Sequence, residues 1–148
     1  VVESYYTPSP IDVHGSEASG VLVALESGRS PLPFDIKRIF YILGVAEGDK
    51  RGGHAHIKGD QFFICLAGKV EIMHEISPHK PYYVNVLTPP RVVTRLQSGV
   101  FVPAGRWVEI TFTAPDTVLL CLCSNYYDEA DYIRNRDEWI REFSKSGS

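Results

Sequence analysis

His54 and His56 stand one residue apart in the stretch Arg-Gly-Gly-His-Ala-His-Ile-Lys-Gly-Asp-Gln, residues 51–61, which runs straight into an apolar segment. Side chains alternate faces along a β-strand, so both imidazoles project to one side and into one cavity. That arrangement suits either of two chemistries. The pair can be half of a metal site, or it can move protons, because imidazole titrates near neutrality. A second charged group belongs with it: in the apolar run Ile36 to Val45, Arg38 shares a face with Ile36, Phe40 and Ile42, while Lys37, Ile39, Tyr41 and Leu43 occupy the other. A guanidinium among apolar neighbours needs a partner or a ligand, unless it snorkels to water at a barrel rim.

The elements that position these groups read as strands. At 148 residues the chain has the size of one domain with its own core. From Gly20 onward, short apolar runs alternate with Pro and Gly turns: Val21 to Leu25, Ile36 to Val45, Gln61 to His74 broken at Ala67-Gly68-Lys69 as a hairpin, Tyr82 to Leu87, Arg91 to Leu96, Gly99 to Val102, Trp107 to Thr113 and Thr117 to Cys123. Such a rhythm predicts an all-β sandwich or barrel. The expected organisation is an irregular or strand-exchanging segment over 1–19, a barrel over 20–126, an amphipathic helix over 127–144 and a frayed tail over 145–148. The helix rests on the spacing of Tyr132, Ile133, Trp139, Ile140 and Phe143, with Arg and Asp/Glu opposite.

Composition removes several function classes. The formal net charge is −3 and there is no basic run, so the footprint of a nucleic-acid binder is missing. No segment approaches the roughly 18 consecutive apolar residues of a membrane span, and no secretory leader is visible at the N-terminus, so a cytoplasmic protein is expected. The chain starts at Val1, and whether another domain precedes it stays open. Cys65, Cys121 and Cys123 all lie inside apolar runs, which predicts reduced core thiols rather than a disulfide framework or a metal half-site.

The spacing of the histidine stretch resembles the first motif of the cupins, a double-sheet jelly-roll family. Gly48 is followed by five residues, His54-Ala55-His56, four residues, Gln61, six residues and Gly68. Glutamine stands where the metal-binding glutamate of the family would be. Pro103-Ala104-Gly105 meets the start of the second motif, but Val108 occupies the place of its histidine. Two neutral nitrogen ligands hold zinc, iron or manganese poorly, which favours proton transfer without a cofactor and disfavours a metal-dependent cupin.

Four segments narrow the resemblance: Pro-Phe-Asp-Ile-Lys-Arg (33–38), Arg-Gly-Gly-His-Ala-His (51–56), Gln-Phe-Phe-Ile-Cys-Leu-Ala-Gly (61–68) and Tyr-Tyr-Asp-Glu-Ala-Asp-Tyr-Ile-Arg (126–134). Together they resemble the nucleotide-sugar 3,4-ketoisomerases, cofactor-free cupins that act on dTDP-4-keto-6-deoxyglucose in deoxysugar and surface-glycan biosynthesis. The resemblance implies His54 as the acid/base and His56 as its orienting or relaying neighbour. It also implies Arg51 and Arg38 as donors to an enediolate oxygen or a diphosphate, substrate contacts from Phe40, Tyr41, Gln61 and Trp107, no metal, and a homodimer that exchanges N-terminal strands. The sequence departs from the family at Phe40, where a cavity-facing tyrosine is usual, at Ile57, at Arg136 and in a longer segment between Leu87 and Leu96. A cupin that binds a nucleotide sugar without turning it over is the alternative that Phe40 keeps open.

Overall fold

The computed structural model describes residues 11, 13–16, 18–90 and 99–145. Its strands are β1 (Val13–Ser16), β2 (Gly20–Val23), β3 (Arg38–Ile42), β4 (Lys50–His56), β5 (Gln61–Ala67), β6 (Val70–Glu75), β7 (Tyr82–Leu87), β8 (Gly99–Val102), β9 (Trp107–Phe112), β10 (Val118–Cys123) and β11 (Tyr132–Ile133), followed by helix α1 (Arg136–Ser144). β1 and β2 form a hairpin, and the others make two antiparallel sheets, ordered β3-β10-β5-β8 and β11-β4-β9-β6-β7. This is the all-β jelly roll that the resemblance implies, two facing sheets and one C-terminal helix, with the hairpin as a third, small sheet.

Period-two patterning builds the core. Val108, Ile110 and Phe112 on β9 and Val70 and Ile72 on β6 face Phe63, Cys65, Leu119, Cys121 and Cys123 of the opposite sheet. The other face of β10 and β5, with Leu122, Phe62 and Ile64, is covered by Leu32 and Phe34. The run at β5 is therefore apolar on both faces because both faces are buried. A third cluster joins Ala55, Trp107 and Ile133 to Trp139 of α1. Trp139 is fully buried and its Nε1 donates to the Gly105 carbonyl at 2.9 Å, which fixes the helix across β4 and β9. Asn135 caps the helix, accepting from the Glu138 amide at 3.0 Å.

Two expectations change in three dimensions. Ala67-Gly68-Lys69 is not a hairpin but the corner at which the chain leaves one sheet for the other, since β5 pairs with β10 and β8 and β6 with β7 and β9. Gly68 has φ of 76°, and a Cβ there would meet Thr117 Oγ1 at 2.2 Å, so the corner requires glycine. The helix expected over 127–144 occupies Arg136–Ser144 only; the residues before it form a 3-10 turn (Glu129–Asp131) and the edge strand β11. Pairing of Tyr132 with His56 and Ile133 with Ala55 wins over helical periodicity, because it satisfies backbone groups and buries Ile133 at once. The strand expected at Arg91 to Leu96, residues 1–10 of the exchanging segment and the tail 146–148 lie outside the described residues.

Candidate active site

β4 carries the two histidines, and its shape comes from Gly52-Gly53. Pairing runs Gly52 to Glu109 and then His54 to Val108, so Gly53 is the extra residue of a β-bulge. Both glycines have positive φ, 87° and 71°, and a Cβ on Gly52 would lie 2.8 Å from the Val108 carbonyl oxygen. The bulge resets the alternation: Arg51 pairs with core-facing Ile110 and His54 with core-facing Val108. Arg51 nevertheless stays exposed at the rim and donates to the Lys50 carbonyl at 3.1 Å.

His54 and His56 meet edge to face with centroids 5.2 Å apart. Tyr132 of β11 closes over both, 5.1 Å from His54 and 4.3 Å from His56. The Asp131 carboxylate lies 3.2 Å from His56 Nδ1 and accepts the amides of Lys58 at 2.7 Å and Gly59 at 3.1 Å. A carboxylate so surrounded only accepts, so His56 carries its proton on Nδ1 and presents a bare Nε2. That Nε2 and His54 Nδ1 are buried and have no hydrogen-bond partner among the described residues. Burial pushes His54 down to about 4, with the nearby His56 and Arg134 adding to it. Burial also lowers His56, against the pull of Asp131. Both rings are neutral at pH 7 and able to accept a proton.

Arg38 enters from the facing sheet. Its Nη2 donates to the Tyr132 hydroxyl at 3.2 Å and to Cys123 Sγ at 3.8 Å, while its Nε is buried with no partner among the described residues. The guanidinium lies between the rings of Phe40 and Tyr127, 5.3 Å from each, which holds the charge in place. Arg38, His56, Gln61, Cys123, Asp131 and Tyr132 are among the walls of a small cleft between the two sheets.

The residues expected at the site thus separate. His54, His56, Arg38, Phe40 and Gln61 come together. Tyr41 does not: it is 65% exposed on the outer face of β3, because one step along a strand reverses the side chain. Trp107 is also displaced, buried on the outer face of β9 with its ring 5.8 Å from Trp139. Arg51 makes no hydrogen bond to either histidine among the described residues. Sequence reasoning missed Asp131, Tyr132 and Cys123. The first two lie in the stretch 126–134, whose resemblance to the family is the signal for them, although its spacing reads as helical. Among the described residues no three of His, Cys, Asp and Glu gather as metal ligands, and Val108 is a core residue beside His54.

A family model described as FdtA, WxcM-like, C-terminal, matches residues 9–144. The chain is 33% identical over 129 residues to TDP-4-oxo-6-deoxy-alpha-D-glucose-3,4-oxoisomerase of Aneurinibacillus thermoaerophilus, covering 87% of this chain and 86% of that protein. QdtA of Thermoanaerobacterium thermosaccharolyticum, a sugar 3,4-ketoisomerase solved in complex with TDP, superposes with a TM-score of 0.82 and 34% identity over 95% of each chain. The TDP-quinovose 3,4-ketoisomerase WlaRB of Campylobacter jejuni superposes with a TM-score of 0.75 and 31% identity, over 88% of this chain and 93% of that one.

Proposed function

The chain belongs to the FdtA, WxcM-like C-terminal family and is a sugar-nucleotide 3,4-ketoisomerase, and on that premise we propose that it moves the keto group of TDP-4-keto-6-deoxyglucose from C4 to C3 by histidine-mediated proton transfer. The observation that carries the mechanism is the pair of neutral imidazoles, each with a buried nitrogen that has no hydrogen-bond partner among the described residues, beside the cationic Arg38. The C4 ketone acidifies the hydrogen on C3. His54 removes it, an enediolate forms, the O3 hydroxyl proton passes to O4, and protonation at C4 leaves the carbonyl at C3. His56, held by Asp131 through Nδ1, relays or orients with its Nε2, which has no hydrogen-bond partner among the described residues. Arg38 is aimed to stabilise the developing oxyanion or to hold the diphosphate; a planar, permanently charged donor suits both.

The test is incubation of the purified protein with TDP-4-keto-6-deoxyglucose in deuterated water, followed by NMR. Deuterium appears at C3 or C4 with the wild type, and His54→Asn abolishes exchange while TDP still binds. A second reading, a nucleotide-sugar binder without turnover, draws on Phe40, which puts an apolar ring under Arg38 where the family carries a hydroxyl. Binding without any exchange by the wild type would establish that reading and remove the isomerase mechanism.

A further inference from the structure

Proton transfer leaves one thiol of the cleft wall, and a second thiol behind it, unused. Cys121 and Cys123 sit two residues apart on β10, facing the same way, with sulfurs 3.8 Å apart. Their surroundings differ. Cys121 is sealed in the core with no exposure, whereas Cys123 forms part of the cleft wall, where Arg38 Nη2 points at its sulfur from 3.8 Å. Burial pushes the Cys121 thiol well above its ordinary range, so it keeps its proton and donates it toward Cys123. That hydrogen bond, reinforced by the Arg38 charge and opposed by burial, brings Cys123 down to about 6. Gln61 also reaches the sulfur, and the other titratable groups that line the cleft with it include His56, Asp60, Asp128, Asp131 and Tyr132. Cys65 is a built-in control, buried and pushed up to about 11.

We propose that Cys123 is a covalent modification site in the wall of the cleft, a nucleophilic thiol that takes small soft electrophiles and peroxides, with Cys121 as its resolving partner. With hydrogen peroxide, the Cys123 thiolate attacks one oxygen, the O–O bond breaks and hydroxide departs. Sulfur loses two electrons to become a sulfenic acid as the peroxide is reduced. The Cys121 sulfur then attacks, an S–S bond forms, the S–O bond breaks, and the Cys121 proton leaves with the hydroxyl as water. The sulfurs must close from 3.8 Å to about 2.05 Å, and the Cα separation of alternate strand residues, about 6.7 Å, lies near the upper end of what a disulfide spans. Oxidation takes away the thiolate charge that Arg38 faces, so Arg38 keeps its bond to Tyr132 but loses its acceptor on β10, and isomerisation falls, recovering on reduction.

The full chain is treated with limiting iodoacetamide over a pH series and mapped by peptide mass spectrometry. Cys123 is expected to label with a midpoint near pH 6 and, at pH 7, about ten-fold or more faster than Cys65. Arg38→Gln moves the midpoint upward, and peroxide yields a linked Cys121–Cys123 peptide that stops at a dimedone-trappable sulfenic acid in Cys121→Ala. Equal labelling of Cys123 and Cys65 in the wild type, or a Cys123 midpoint at that of a free thiol, overturns the proposal. Labelling does not depend on the isomerase reading; loss of exchange on oxidation does, so the two ideas fail separately.

Discussion

Replacing Asp131 separates a positioning carboxylate from a merely structural one. Its oxygens accept three hydrogen bonds, from Lys58 and Gly59 amides and His56 Nδ1, at 2.7, 3.1 and 3.2 Å. Hydrogen bonds to a charged acceptor contribute roughly 1.5–3 kcal/mol each, but water reaches the 57–59 turn once the side chain is cut back, so Asp131→Ala is expected to cost about 3 kcal/mol in stability. The kinetic effect follows from the tautomer. Without an acceptor at Nδ1, His56 no longer holds its bare Nε2 toward the cleft, and kcat falls by about 10²-fold or more. Asp131→Asn is milder. Its carbonyl can take the place of the oxygen shared by Gly59 and His56, sacrificing only the Lys58 bond. The carboxylate also raises the proton affinity of His56, so its removal moves the acid limb of the kcat profile to lower pH even as the plateau drops. Deuterium exchange at C3, followed by NMR across pH on variants verified as folded by circular dichroism, reads both effects. A folded Asp131→Ala enzyme within about threefold of wild-type kcat, with an unmoved acid limb, would refute the positioning role.

Other consequences follow from particular groups. His74 is fully buried, and burial lowers it from 6.5 to about 4, with Asn85 opposing and Arg106 adding to the shift. Below pH 6.5 the unfolded chain takes a proton that the folded one refuses, so stability falls as pH drops from about 6.5 to about 4 and then levels. That difference corresponds to about 3 kcal/mol for His74, and His54 acts in the same direction; urea melts between pH 7 and 4 should show a falling midpoint, and a flat series would contradict the burial argument. Gly52→Ala forces a methyl group toward the Val108 carbonyl at positive φ, and about 2 kcal/mol or more of destabilisation in thermal melts is expected, with weakened exchange because His54 is re-aimed. Deleting residues 1–19 removes β1 and uncovers more of β2, whose Leu22 is already 61% exposed. If the N-terminal segment pairs two protomers, light scattering will find the shortened chain monomeric, and an unchanged dimer would exclude that role.

Much of this architecture is written locally. Alternating apolar residues define the faces of β9 and β10, the doubly apolar run at β5 announces burial on both sides, and the His-Ala-His pattern places two imidazoles on one face before any contact is known. Arg38 with Phe40 inward and Tyr41 outward follows from the same period of two. Other features depend on chain segments far apart in sequence. That Gly68 turns a corner rather than a hairpin depends on which strand each arm finds, and that choice is made by Thr117 and the two sheets together. The extra residue at Gly53 becomes visible only once β9 is laid against β4. Asp131 and Tyr132 had helical spacing in the sequence, yet pairing with β4 makes them the carboxylate and the ring that hold His56. Cys123 reads as a core thiol until Arg38 arrives from the neighbouring strand and Cys121 is sealed behind it. The sequence by itself determined which residue types could do chemistry and which of them share a face within an unbroken strand, since those follow from local backbone geometry. Which of them meet, which proton each nitrogen keeps and which sulfur is reactive were decided by the tertiary structure, because burial and neighbouring charge exist only after distant strands have packed.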